Sequence, residues 1–135
     1  MLDPYATVPL TPADRPRAEQ GGLIAVDCSW NRLSAAHARP FGRTESRPAP
    51  GGRRLPMLVA ANPQHFGRVG ELNTVEALAA ALWVLGHPAE AEGLLEGFAG
   101  GRSFLDVNRA RLRRYQGAGT VEELEREERQ LFGHP

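Results

Sequence analysis

Lysine is absent from this chain. All 16 of its basic residues are arginine, and 16 acids bring the net charge to zero. A neutral total argues against a purely electrostatic nucleic-acid binder, whose footprint is a strong positive excess. Only one cysteine occurs, Cys28. That excludes an internal disulfide and a cysteine zinc cluster, and it points to a reducing compartment, the cytoplasm. No apolar run approaches the ~20 residues of a membrane span. The N-terminus is acidic and proline-bearing, without the charged and apolar regions of a secretory signal. Phosphate loop, dinucleotide fingerprint, zinc spacing and catalytic triad patterns are all missing.

What is present fits one domain, or a small α/β unit with a helical appendage, in 135 residues that are 41% hydrophobic. The zero charge conceals segregation. Residues 31–70 hold seven Arg against one acid, and residues 71–100 hold five acids and no Arg. Residues 101–116 return to five Arg against one Asp, and the remainder is acidic. A codon bias explains arginine for lysine; so does a need for planar, multidentate contacts to phosphate and bases, which suits RNA.

Along the chain, residues 1–22 read as loop with a short turn. Leu23–Cys28 and Leu55–Ala61 are short continuous apolar runs, predicting strands buried on both faces as in a parallel sheet. Between them, 31–52 is dominated by Arg, Ser, Ala, Pro and Gly and reads as a long mobile loop. Helices are predicted over 74–85, 88–98, 104–116 and 121–132. Capping boxes are expected at Asn73/Glu76, Ser103/Asp106 and Thr120/Glu123, with Gly86 and Gly117 as stops. The division expected is an α/β region over 1–70 and a helical region over 71–135. Two strands do not make a self-sufficient sheet.

The strand–loop–helix run from Arg53 to Leu85 is the kind of place where α/β proteins bind ligands, because loop and first helical turn carry unpaired backbone groups. Asp27 ends a strand, where a catalytic or ligand-binding acid sits, or where an acid caps a turn. Trp30 is a core residue or a stacking wall for a purine. Cys28 reads as a small core residue and Ser29 as a turn cap. His65 reads as a surface residue more than as a base. Thr74 and Asn73 open a helix, as caps or as a seat for a carboxylate, and Glu76 closes the box on Asn73 while facing the same loop.

Three blocks, taken together, resemble one family. They are Leu2-Asp3-Pro4-Tyr5-Ala6, then Val26-Asp27-Cys28-Ser29-Trp30, then Arg53-Arg54-Leu55-Pro56 through Ala61-Asn62-Pro63, Phe66-Gly67-Arg68 and Leu72-Asn73-Thr74-Val75-Glu76-Ala77-Leu78. The likeness continues through Phe104, Asn108 and Tyr115. The family is that of the small-subunit ribosomal RNA aminocarboxypropyltransferases, enzymes of ribosome biogenesis.

The resemblance implies a SPOUT-like parallel sheet with a trefoil-knot pocket for S-adenosylmethionine, followed by an all-helical region. It implies transfer of the 3-amino-3-carboxypropyl group, not the methyl, to N3 of a (methyl)pseudouridine or uridine, releasing methylthioadenosine. By the same resemblance Leu2, Pro4 and Trp30 wall the adenine, the backbone at Val26 and Leu55 holds ribose and adenine edges, and Gly70 and Thr74 complete the pocket. Asp27 positions or deprotonates the uracil ring. Arg53, Arg54, Arg68 and Arg109 contact phosphate.

The partner implied is small-subunit rRNA or its precursor particle, with no metal, no membrane and a monomeric protein. Gly70 departs from the family, which usually has an aromatic there. The chain begins at the Leu-Asp-Pro block, so the expected sheet and pocket lack the strand that precedes it in relatives. The alternatives are a SPOUT-like RNA methyltransferase and a non-catalytic ribosome-assembly factor.

Overall fold

Asn73, the first residue of the first capping signal, does what its position dictates. In the computed structural model, which describes residues 2–3, 6–21 and 52–133, it opens a helix at Thr74. Its Oδ1 accepts the Glu76 N–H at 2.8 Å, and Glu76 Oε1 accepts the Asn73 N–H at 3.0 Å, a complete capping box. This helix is the second among the described residues, α2 (Thr74–Val84). It ends where Gly86 takes φ +95°. There the His87 N–H reaches Leu82 O at 2.8 Å and the Gly86 N–H reaches Trp83 O at 3.0 Å, a Schellman stop.

Three more helices follow, α3 (Pro88–Leu95), α4 (Gly101–Gln116) and α5 (Val121–Phe132). The fifth helix precedes them all, and the loop reading of 1–22 missed it. A 3-10 turn at Pro12–Asp14 leads into α1 (Arg15–Gly21). Its signals lie in the sequence: the Thr11 N–H donates to Asp14 Oδ2 at 3.1 Å, Pro12 occupies the first turn, and Arg15 pairs with Glu19 four residues on at 2.8 Å.

Two helix boundaries differ from expectation. α3 stops at Leu95, not 98, because Glu96 turns to an extended ψ of 135°. α4 begins three residues before the predicted 104, with Gly100 and not Ser103 at its N-cap. A Cβ on Gly100, at φ +79°, would lie 2.2 Å from Ala61 O, and one on Gly101 would lie 2.4 Å from Leu95 O. Close backbone approach sets this helix start, so glycine replaces a capping side chain. At α5 the predicted box is half formed. Thr120 Oγ1 accepts the Glu123 N–H at 3.1 Å, but the Glu123 carboxylate takes the Gly119 N–H, not that of Thr120.

The core gathers around α2, whose Ala77, Ala79, Ala80 and Ala81 are buried against α3 and α4. α4 contributes a stripe of Phe104, Leu105, Asn108, Leu112 and Tyr115, and Leu124 enters from α5. One hydrophobic cluster joins the apolar residues among these to Leu2, Leu10, Leu55 and Leu58. Packing and side-chain bonds therefore cross the 70/71 division that the sequence suggests.

The sheet expectation meets a different arrangement. Among the described residues there is no ladder strand. Isolated bridges take its place, Leu2↔Arg53 and Pro9↔Arg54 parallel just before Leu55–Ala61 and Val59↔Val69 antiparallel within it. The physical reason is that side chains occupy the hydrogen-bonding edge a neighbouring strand would take. The Met57 N–H donates to Glu128 Oε2 at 2.8 Å, and Met57 O accepts from the Tyr115 hydroxyl at 2.7 Å. Asn108 accepts the Val59 N–H at 2.9 Å and donates to Val59 O at 2.7 Å, reproducing the two bonds of a strand pair. Glu76 Oε2 accepts the Ala61 N–H at 2.9 Å.

On the opposite edge the Ala60 N–H meets Arg68 O at 2.8 Å and Leu58 O accepts the Gly70 N–H at 2.9 Å. Leu23–Cys28 and the arginine-rich stretch 31–51 lie outside the described residues. Among those described, no helix is long and apolar enough to cross a membrane.

Candidate functional site

The loop between Ala61 and Thr74 is held by one buried carboxylate. Glu76 accepts three N–H donors, from the Ala61 backbone, from the Asn73 backbone and, at 2.7 Å, from Asn62 Nδ2. Asn62 also donates to Glu71 O at 3.1 Å and accepts the His65 N–H on Oδ1 at 3.0 Å. A buried carboxylate is tolerable only with such compensation, and here its acceptor capacity serves to fix the loop. Thr74 is the first helical residue, where backbone N–H groups lack intrahelical acceptors and favour an anionic or polar ligand group. Beyond Asn62, Glu71 Oε2 lies 3.5 Å from His65 Nδ1 and 3.4 Å from Arg68 Nη1.

The expected site residues fall along this run and its continuation. Leu2 is buried and bridges Arg53, whose carbonyl accepts the Asp3 N–H at 2.8 Å. Leu55 is buried two residues further on. Gly70, at φ +81°, is bonded to Leu58, and Thr74 closes the series. Of these, Leu2 and Leu55 have buried apolar side chains and Gly70 offers only main chain. Pro4, Val26, Asp27 and Trp30 lie outside the described residues.

The four arginines are not equivalent. Arg68 is exposed. The Arg53 Nε lies 3.3 Å from Asp14 Oδ1. Arg109 lies over the Trp83 ring, 5.6 Å from its centroid, and 3.6 Å from Glu92. It borders a cleft of about 480 Å³ that Phe98, Arg102, Asp106 and Glu96 also line, a wall of mixed sign. Arg54 departs from the phosphate-contact expectation. It is 6% exposed, and its guanidinium grips Glu128 in a two-pronged pair at 2.8 and 2.9 Å, so its side chain faces inward.

The buried groups that hold the run were not recognised as such from the sequence. Asn108 is a polar residue inside the apolar stripe of α4, and Glu128 follows Leu124 by one helical turn on the buried side of α5. A polar residue at a core position is the signal that marks both. Burial pushes the Tyr115 hydroxyl far above its ordinary pKa, and the charge of Glu128 adds to the rise against Arg111, Arg54 and Arg114.

Comparison with known proteins decides the family. Residues 1–132 match the family described as ribosome biogenesis protein, C-terminal. The chain is 41% identical over 133 residues to the 16S rRNA aminocarboxypropyltransferase of Vulcanisaeta distributa, covering 98% of this chain and 66% of that protein. It is 44% identical over 126 residues to the enzyme of the same description from Methanopyrus kandleri, covering 93% and 71%. This chain belongs to the 16S/18S rRNA aminocarboxypropyltransferase family.

The 18S rRNA aminocarboxypropyltransferase of Schizosaccharomyces pombe is a more distant and longer member, 37% identical with 98% of this chain and 44% of its own length covered. The chain therefore spans about two thirds of the archaeal transferases and less than half of the fission-yeast one. A solved structure, the SAM-dependent rRNA:acp-transferase Tsr3 from Vulcanisaeta distributa, superposes with TM-score 0.70 at 37% identity, covering 98% of this chain and 76% of that one.

Proposed function

We propose that this chain transfers the 3-amino-3-carboxypropyl group of S-adenosylmethionine to N3 of a (methyl)pseudouridine or uridine in small-subunit rRNA. The observation that carries the reading is its likeness, over nearly the whole chain, to an rRNA transferase that depends on the same donor. The fixed loop from Ala61 to Thr74 supports it, because it presents Gly70 and the Thr74 amide on a rigid base.

The donor's sulfonium supplies the activated carbon. The N3–carbon bond forms as the carbon–sulfur bond breaks, the electron pair returns to sulfur, and methylthioadenosine leaves. The chain's task is orientation, since the sulfonium activates three carbons and only one is to be transferred. We assign to Asp27 the N3 proton and the positioning of the ring, and to Leu2, Pro4 and Trp30 the adenine. Val26, Leu55, Gly70 and Thr74 hold the rest of the donor.

Arg68 is the best-exposed phosphate contact of the four arginines, and like Arg53 and Arg109 it has an acidic neighbour, Glu71. Arg54 reads as an anchor for α5. In this reading residues 1–70 carry most of a SPOUT-like knotted pocket and 71–135 buttress it. The protein acts as a monomer on the cytoplasmic pre-ribosomal small subunit.

Product analysis tests the reading. Incubated with S-adenosylmethionine and small-subunit rRNA, the chain is expected to release methylthioadenosine. Release of S-adenosylhomocysteine would make it a methyltransferase, and RNA binding with neither product would make it an assembly factor.

A further inference from the structure

Phe66 is the most exposed large hydrophobic side chain among the described residues, at 65%. Looseness does not explain this exposure. The Gly67 N–H bonds to Ala60 O at 2.7 Å, the Arg68 N–H to His65 O at 3.0 Å, and the Ala60 N–H to Arg68 O at 2.8 Å. Asn62 ties His65 from the other side, and Gly67 supplies the φ of +85° that the turn requires. The loop is pinned on both flanks of Phe66, and the ring is held out into water. Two residues on, the Arg68 side chain is 68% exposed. Two further residues lead to Gly70 and then to the Thr74 helix start.

An exposed ring and, two residues on, an exposed guanidinium whose Nη1 lies 3.4 Å from Glu71 Oε2 match the chemistry of an unpaired nucleotide. Any base offers a π-face to an aromatic ring, and the adjoining phosphate offers oxygens to arginine. A base inside a duplex is already stacked and offers no such face. An enzyme that modifies a ring nitrogen must take its target out of the stack, which leaves a neighbouring base uncovered.

We propose that Phe66 is a stacking platform for an unpaired base of the substrate RNA, with Arg68 on the phosphate beside it. The proposal deepens the transferase reading and rests on it for the class of substrate.

The test uses the full chain and a short mixed-sequence RNA, presented as a single strand and as its duplex, with affinity followed by fluorescence anisotropy at fixed salt. Phe66→Ala is expected to bind the single strand roughly ten-fold more weakly. Phe66→Trp keeps wild-type affinity, and Phe66→Leu falls with the alanine variant because it is apolar without a π-face. Duplex affinity and S-adenosylmethionine affinity by calorimetry stay at wild-type values in all three. Arg68→Gln weakens both forms of RNA and lowers the salt slope by about one.

Equal single-strand affinity in Phe66→Ala, leucine matching tryptophan, or no single-strand binding by the wild type would overturn the platform. Lost donor affinity in Phe66→Ala would place the ring in the donor pocket and overturn it too. If the Phe66 pattern holds while the wild type releases no methylthioadenosine from rRNA, the transferase reading fails and the platform stands.

Discussion

The buried backbone of α2–α5 bonds within its own helices, whereas at Met57, Val59 and Ala61 the backbone bonds to side chains brought from further along the chain. Met57 is matched by Tyr115 and Glu128, 58 and 71 residues away, and Val59 by Asn108, 49 residues away. The helices are held by shape, through Ala77, Ala80 and Leu112 packed without polar atoms to satisfy. The extended run is held by polar matching, with side chains meeting Met57, Val59 and Ala61 on one edge and the backbone of Gly67, Arg68 and Gly70 meeting Leu58 and Ala60 on the other. In the first region the penalty of a change is an empty volume; in the second it is an orphaned N–H or C=O. The second region also carries the loop to Gly70 and Thr74, so its exactness bears on the site.

The comparison can be broken most directly at Asn108. Asn108→Leu keeps the branched shape, adds some bulk and orphans both polar groups of Val59, and should cost roughly 4 kcal/mol in urea unfolding. A cost under about 1 kcal/mol would mean that water replaces the side chain and that the run does not depend on it. Next in size, Leu112→Ala tests the helical region, with an expected loss of about 3 kcal/mol from a cavity in a packed core. Its hydrogen bonds remain intact, so amide exchange at Val59 should rise no more than at the core of α4.

Tyr115→Phe removes only the donor to Met57 O and should cost about 1.5 kcal/mol. It carries a pH signature as well. The folded pKa of Tyr115 lies above the ordinary 10.0. Below pH 10 both states hold the proton and stability is unaffected. Above it the unfolded state loses the proton first, so stability falls as pH rises, by up to about 1.4 kcal/mol per unit. The phenylalanine variant should lose this contribution to the alkaline slope. Smallest is Thr120→Ala, about 1 kcal/mol for one exposed cap, read as a small drop in the thermal midpoint.

The two regions were also unequally legible. Asn73, Glu76, Gly86 and Thr120 announce helix ends through contacts only three to five residues long, and those helices lie where expected. Leu55–Ala61 reads as a strand buried on both faces; Leu55, Leu58, Ala60 and Ala61 are buried, but Met57 and Val59 are half-buried and only an isolated bridge forms. Its partners are long-range side chains, however, and no periodicity in the run itself reveals them. Gly100 was missed as a cap because its reason is the nearness of Ala61 O, a tertiary fact. The helix over Arg15–Gly21 was missed for a weaker reason, since Thr11, Pro12 and Asp14 spelled its start. Of the candidate site, the capped helix start at Thr74 was legible from Asn73 and Glu76. The inward turn of Arg54 was not, because an arginine beside another arginine looks like surface until Glu128 folds against it.

An extended apolar segment such as Leu55–Ala61 is an aggregation hazard when its edge is bare, because a second chain can add a strand there. Glu128, Tyr115, Asn108 and Glu76 occupy that edge with two carboxylates, a phenol and a carboxamide, and no foreign backbone offers the same pattern. Two of the four arrive only when α4 docks, and one only when α5 does. The consequence is a window during synthesis: the adhesive segment emerges first, and its guard is complete only after Glu128 has been added. Shortening the chain by α5 would leave the segment partly unguarded, and self-association is the failure to expect.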